Sequence, residues 1–481
     1  MEVIVRKSVK WTDIIIFILF AGFFGAMFVI GEPVYTGDTY QYECQMVMRE
    51  PGYSLLMQGS RFLCGTVLRA LFPGEDGYYH FIILFQNILA VITNTVFVSF
   101  ISKRYKLNIP FTLLAGIIML APHIMTPVFA STNLILTNSL MTEGVIFSLY
   151  PLFIMGMIKS IDEAFLKSEP FTKTSIFTLL LGFLMTLIRG QMMVLIIVWF
   201  IVMVCLVLFE KNDEGLSLRL GKSQILKVFA IVFIVLLTFV VRIYTVRAYN
   251  YIENGLFVDT ASGKAMSFAN ILYVTDREDG QAIEDKELRE LFYQMYDSAY
   301  NDEMNYKFAP EGMLAREAYF EKCHDELNFT YFGGPAKQYV ENKTGITVEK
   351  YQELMIEIDK IADELSGMLM PKVLKRYVSN YIDTIIVGFV RTVAYPAKIL
   401  VFYSIFIYVS AIILTLFILK KDRCNMAAIF MLVVLLCIAG NVTATALMIQ
   451  CISRYMIYNL PLFYIAGVLE FIEIYRITAD N

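Results

Sequence analysis

The chain reads as an all-α polytopic membrane protein with about ten transmembrane helices, and three observations predict this. Its 481 residues are 57% hydrophobic and 17% charged, with a mean hydropathy of +0.60, whereas soluble chains carry about 25% charged residues. Several apolar runs reach the roughly 18–20 residues that cross a hydrocarbon core. Short basic loops recur between them, as in a membrane frame with fixed sidedness.

The apolar runs predict spans at about 14–31, 79–101, 109–128, 142–158, 174–188, 191–209, 228–246, 399–419, 426–449 and 456–474. The first lacks a small-residue cleavage site before Gly31-Glu32-Pro33-Val34, so it is expected to remain a span rather than act as a cleaved signal peptide. Lys and Arg collect at the N-terminus (Arg6, Lys7, Lys10) and in alternate loops (Lys103, Arg104, Lys106; Lys159, Lys167; Lys211, Arg219, Lys222; Lys420, Lys421, Arg423). That bias predicts both termini in the cytoplasm of a cell carrying the protein in its inner or plasma membrane. Three parts follow: an N-terminal transmembrane module (1–248) with a first outer loop (32–78), an extracytoplasmic insert (249–380) and a C-terminal transmembrane module (381–481).

Charge separates the insert from the frame. Residues 249–380 hold 24 acids and 14 Lys/Arg, a balance of −10, and the rest holds 20 acids and 26 Lys/Arg, a balance of +6. An acidic soluble unit on a basic frame makes nucleic acid an unsuitable partner. Apolar residues at helical spacing after Gly52 predict an interfacial helix in the first loop, with Arg61 and Arg69 on another face. A second is expected around Thr384–Pro396. Within the insert, 347–366 predicts an amphipathic helix and Phe332-Gly333-Gly334-Pro335 predicts a turn. Seven cysteines show no metal-ligand spacing; Cys44 and Cys64 share the first loop, bonded or free.

Charged groups at membrane depth are costly and tend to mark function. Five places are expected at the outer surface: Asp38 in Gly37-Asp38-Thr39-Tyr40, Arg49 in Arg49-Glu50-Pro51-Gly52-Tyr53, Glu143 in Thr142-Glu143-Gly144, Arg189 in Ile188-Arg189-Gly190, and Arg454 with Tyr455 in Ser453-Arg454-Tyr455. Each has an ordinary alternative: a turn aspartate, a glutamate on a helix dipole, or arginines reaching headgroups. The case rests on their number and shared side. His80, His123 and His324 form no HExxH pair, and neither a Walker loop nor a GxSxG elbow is present.

The order of these pieces resembles the GT-C-type glycosyltransferases that use polyprenyl-phosphate sugars, of the protein O-mannosyltransferase and lipid A aminoarabinose transferase kind. An acid follows span one (Asp38), then comes a basic-x-Pro-Gly-Tyr stretch, an interfacial helix, a Thr-Glu pair (Thr142-Glu143), an Arg after a short span (Arg189), and a Ser-Arg-Tyr with a later Pro461. The chain departs from the pattern in two places: Asp38 is followed by Thr39, where the protein mannosyltransferases have a paired acid, and the insert matches nothing in the family. The resemblance implies inverting sugar transfer from a polyprenyl-phosphate donor to an extracytoplasmic glycan, lipid or polymer. Asp38 would be the base, with Glu143 sharing that role or binding hydroxyls. Arg49, Arg189, Arg454 and Tyr455 would hold the donor phosphate, and Tyr40 and Tyr53 would bind substrate. The loop has no Asp-x-Asp signature, so a metal-independent site without cofactor is expected. An O-antigen polymerase or ligase acting on diphosphate-linked glycans, a transporter or flippase, and a receptor are the competing readings.

Overall fold

The computed structural model describes residues 2–129, 135–167, 169–212, 215–261, 263–394 and 400–479. The first half holds α1 (Glu2–Ile30), α2 (Gly37–Glu43), α3 (Pro51–Gly65), α4 (Gly77–Tyr105), α5 (Ile109–Phe129), α6 (Glu143–Lys167), α7 (Lys173–Ile188), α8 (Met193–Leu208) and α9 (Lys222–Asn254). The insert holds α10 (Gly263–Tyr273), α11 (Lys286–Asn301), α12 (Met313–Glu326), α13 (Gly333–Thr344) and most of α14 (Tyr351–Val393). The chain closes with α15 (Val401–Lys421), α16 (Met426–Met448), α17 (Ser453–Met456) and α18 (Leu460–Ala479).

Among the described residues nine helices are long and apolar enough to cross a membrane. The tenth expected span, 174–188, is the shorter apolar helix α7. Its 16 residues rise about 24 Å, short of a hydrocarbon core of about 30 Å, because it stops at Arg189. One element departs from an all-α chain: β1 (Phe209–Asn212) and β2 (Gly215–Leu218) form a small antiparallel hairpin between α8 and α9.

Helices in lipid gain no hydrophobic drive from meeting one another, so packing and interhelical hydrogen bonds of about 0.6–2 kcal/mol must hold them. The bundle supplies such bonds. Trp199 Nε1 donates to the Ser175 carbonyl at 2.9 Å, and Tyr150 donates to Asn459 Oδ1 at 2.9 Å. At one end, Lys103 pairs with Asp13, Arg104 with Asp162, and Arg476 Nη2 donates to the Tyr105 carbonyl. The starts of α1 and the ends of α4, α6 and α18 thus gather there, opposite the insert.

The insert has its own apolar core, which includes Phe268, Phe292, Phe320, Leu327 and Leu365. Two expectations inside and beside it need correction. Phe332–Pro335 is not a turn: a π-helical turn (Leu327–Phe332) runs into α13, and Pro335 sits in the first turn of α13, where no backbone donor is needed. The segment around Thr384–Pro396 is not a separate interfacial helix. Through Val393 it is the last part of the 43-residue α14, with Thr384, Val387 and Arg391 buried; residues 395 and 396 lie outside the described residues. The amphipathic stretch at 347–366 opens the same helix, so position 380 falls inside a helix, as position 248 does in α9. Cys44 and Cys64 are both free.

Candidate functional site

The first loop is stitched to the segment preceding α6. Val34 N donates to the Asn138 carbonyl at 2.9 Å, and Leu140 N donates to the Val34 carbonyl at 3.1 Å. The Asn138 side chain donates to the Met27 and Gly31 carbonyls, covering the end of α1. Helix α2 then starts with a capping box between Thr36 and Thr39, and Thr39 Oγ1 donates to the Leu140 carbonyl at 2.9 Å. Asp38 is therefore fixed in the first turn of a helix locked onto the approach to Glu143.

Five charged side chains converge there. Asp38 bridges two arginines, with Oδ1 at 2.5 Å from Arg49 Nη2 and Oδ2 at 3.4 Å from Arg454 Nη2. Glu143 Oε1 lies 2.8 Å from Arg189 Nη1 and 3.4 Å from Arg454 Nε. Three guanidinium groups thus face two carboxylates. Each guanidinium also lies over a tyrosine: Arg49 is 5.2 Å from the Tyr42 ring centre, Arg189 is 4.9 Å from Tyr455, and Arg454 is 5.0 Å from Tyr455. Ring faces attract cations without neutralising them. Arg454 Nε is buried without a hydrogen-bond partner, although its side chain as a whole is 32% exposed.

The arginines are held from behind. Arg189 Nε donates to Gln191 Oε1 at 2.9 Å, and Arg189 Nη1 to Thr142 Oγ1 at 2.8 Å. Gln191 Nε2 in turn donates to Asn441 Oδ1 at 2.7 Å, and Asn441 Nδ2 donates to the Tyr455 carbonyl at 2.9 Å. The α7–α8 turn, α16 and the Ser-Arg-Tyr segment are tied together this way. Beneath the turn sits Glu50, so close to Gly190 that a Cβ there would collide with the carboxylate, while a Cβ at Gly52 would meet the Leu187 carbonyl at 2.8 Å. Glu50 Oε1 lies 3.3 Å from Arg242 Nη2, whose Nη1 lies 3.0 Å from Asp259 Oδ1. Burial outweighs the Arg242 charge and raises the Glu50 carboxyl above the usual range.

Six of the eight residues singled out from sequence meet at this point: Asp38, Glu143, Arg49, Arg189, Arg454 and Tyr455. Glu143 opens α6 beside the arginines, as expected, and lies behind them with its side chain 2% exposed. Tyr53 is not brought to the open face: it is buried, edge-on to Tyr42 at 5.1 Å, and donates to Gln86 Oε1. It supports the ring under Arg49 rather than presenting its own. Tyr40, two residues after Asp38 on α2, points away beside Cys44 and is largely exposed, as a two-residue step around a helix requires. Sequence reasoning missed Tyr42, Gln191, Asn441 and Arg242, together with Tyr458, whose ring centre lies 5.9 Å from the Arg189 guanidinium, and Gln41, whose Oε1 accepts from Arg49 Nε at 2.6 Å. Only Arg242 carried a signal, a charge inside an apolar run; the others are ordinary neutral residues.

The insert rests on the same loop. Ala261 N donates to the Val47 carbonyl at 2.8 Å, Val47 N donates to Gln352 Oε1 at 2.9 Å, and Asn254 Nδ2 donates to the Gln45 carbonyl at 3.0 Å. Its other footing is the end of α16, where Tyr377 donates to the Leu447 carbonyl. Among the described residues no group of three or more His, Cys, Asp or Glu side chains is arranged to hold a metal ion. Comparison of the chain with protein-family models, with curated proteins and with solved structures gives no match.

Proposed function

We propose that the protein is a GT-C-like integral membrane glycosyltransferase that moves a sugar from a polyprenyl-phosphate donor to a hydroxyl acceptor on the outer side of the membrane. The observation that carries the reading is that three guanidinium groups, each over a tyrosine ring, share only two directly paired carboxylates, Asp38 and Glu143, at the end of a membrane bundle. A phosphate leaving group needs cations in bidentate geometry, which arginine supplies. In this reading both termini are cytoplasmic and the insert lies outside. The cationic role belongs to the arginines, and no cofactor is assigned.

The reaction is one displacement. The acceptor oxygen attacks the anomeric carbon and gives its proton to Asp38, while the bond from that carbon to the phosphate oxygen breaks. The electron pair leaves on the polyprenyl phosphate, and the configuration inverts. Arg454 holds Asp38 only at 3.4 Å; a donor phosphate offers it a stronger partner and releases Oδ2 to accept the proton. General-base contributions are on the order of 10²–10⁴ in rate. Glu143 becomes a positioning residue for Arg189 and Arg454, in place of the substrate contact expected from sequence. An apolar groove of about 420 Å³ between α1 and α4, lined by Phe17, Phe24, Phe28, Leu84, Ile88 and Ile92, suits an isoprenoid chain.

The test is consumption of synthetic polyprenyl-phosphate sugars by purified wild type and Asp38→Asn. Wild-type turnover that a folded Asp38→Asn loses by at least a hundredfold supports the assignment. Equal consumption by both proteins removes Asp38 as the base. Wild type that neither binds nor turns over any such donor, yet acts on diphosphate-linked glycans, moves the protein to the polymerase or ligase class.

A further inference from the structure

The membrane site has two sides. The bundle side carries the arginines, and the insert closes over it at the segment joining α16 to α17. There Gln450 Nε2, four residues before Arg454, donates to Asp325 Oδ1 at 3.2 Å. Asp325 lies next to the last residue of α12, in the insert. His324 Nδ1 lies 3.2 Å from the same oxygen, and its ring is buried edge-on against Phe320. The imidazole is thus a fixed support, and the carboxylate it supports is 69% exposed. Arg454 is close enough for its charge to act on Asp325. Hydrogen bonding to His324, then to Gln450, together with that charge, holds the Asp325 carboxyl below the usual range, so it is ionised at neutral pH.

This arrangement differs from that of the other acids around the site. Asp38 is bridged by two arginines, Glu143 is enclosed, and Glu50 is engaged by Arg242 and the Gly190 turn. Asp325 is oriented from below by His324 and Gln450 and keeps most of its surface open. A fixed, exposed carboxylate with acceptor capacity left over suits paired hydroxyl groups, which donate charge-assisted hydrogen bonds. It suits a phosphate poorly, because like charges repel. In the glycosyl-transfer reading the donor reaches the arginines from the bundle side, which leaves the insert side to the acceptor.

We infer that Asp325 is the acceptor-binding carboxylate, contributed by the insert to hold a neutral polyhydroxyl group over Arg454 for attack on the donor. This rests on the glycosyl-transfer reading and adds the acceptor's chemical class and the residue that selects it. Asp325 has no part in donor binding or in leaving-group departure, so its loss changes where the sugar goes rather than whether the donor is consumed.

The experiment is a partition assay on the full-length protein in detergent. A synthetic polyprenyl-phosphate sugar is supplied with glycerol, octyl glucoside or octyl galactoside, and transfer product and free sugar are both counted. Asp325→Asn is expected to lower the transfer-to-hydrolysis ratio about tenfold while total donor consumption stays within twofold of wild type. Asp297→Asn removes a different exposed carboxylate of the insert, one that pairs with Arg277, and it should keep the wild-type ratio. A ratio unchanged in Asp325→Asn, or lowered equally in Asp297→Asn, overturns the assignment and leaves glycosyl transfer standing. Hydrolysis by wild type without transfer to any of the three alcohols overturns the neutral-polyol class. No donor binding or consumption by wild type overturns the transfer reading, and this inference with it.

Discussion

Two clusters of arginine and carboxylate in this molecule look alike on a contact map and are built differently. In the insert, Arg376 pairs with Asp276 and Asp279, and Lys307 pairs with Asp276. Tyr306 adds a hydrogen bond to Asp276, and Arg376 Nε donates to the Val274 carbonyl. Two cations meet two anions there, and the donors have acceptors. At the membrane site three guanidinium groups pair directly with two carboxylates, and the buried Arg454 Nε makes no hydrogen bond, with only a 3.4 Å ion-pair contact to Glu143. A balanced, satisfied cluster fastens helices. An unbalanced one, kept cationic over tyrosine faces, is a place for an anion that is not part of the chain.

That contrast is easiest to break at Arg189. Arg189→Met is expected to weaken polyprenyl-phosphate binding by more than about a hundredfold and to destabilise the protein by about 3 kcal/mol, because the enclosed Glu143 loses its short partner and keeps only the 3.4 Å contact with Arg454. Adding Glu143→Gln should restore most of the melting temperature in detergent without restoring binding. Recovery of both would make the pair purely structural.

Arg454 sharpens the comparison at smaller amplitude. Its side chain is partly exposed and its pairings are long, so Arg454→Gln should cost about ten- to a hundredfold in phosphate affinity, with little change in stability. Isothermal titration with a short-chain polyprenyl phosphate reads the first, and thermal unfolding reads the second. A large stability loss with intact affinity would give Arg454 the role that Arg376 has in the insert.

The smallest effect is one of pH. Burial raises the Asp276 carboxyl, but Lys307 and Arg376 outweigh it, and the net direction is downward from 3.8. A folded-state value below the unfolded one contributes stability above roughly pH 4 that is lost as the pH falls through the folded value. Wild type should therefore lose melting temperature on the acid limb more steeply than Arg376→Met, whose donor binding at pH 7 should equal that of wild type. Parallel acid limbs would show that the insert cluster does not contribute in this way.

The frame was legible because its physics is local. Apolar length places the ten apolar helices among the described residues, Trp11–Ile30 through Ser453–Ala479, to within about five residues of expectation, except that Glu143–Leu166 and Lys222–Asn254 run up to eight residues further. Capping at Thr172 and the stop at Arg189 explain why α7 is the short one. Arg49, Arg189, Arg454, Asp38 and Glu143 stood out because charge at membrane depth is costly. Reading failed where a residue's meaning comes from its neighbours. Phe332–Pro335 carries turn residues that a helix start accepts, and the end of α14 is apolar with two charges, Asp383 and Arg391, that the fold buries against partners. Tyr53 and Tyr42 are both tyrosines of one loop, yet only the second carries an arginine.

By itself, the sequence determined that this is a helical membrane chain with an acidic insert, and it determined which charges are too costly to be incidental. Both follow from transfer energies that each segment or side chain carries alone. Which arginine pairs with which acid was decided only by the tertiary structure, as was the enclosure of Glu143 behind its partners and the meeting of Asp325 with Gln450, 125 positions apart. These depend on distances between residues far apart in the chain, and a distance is a property of the packed bundle and not of any residue in it.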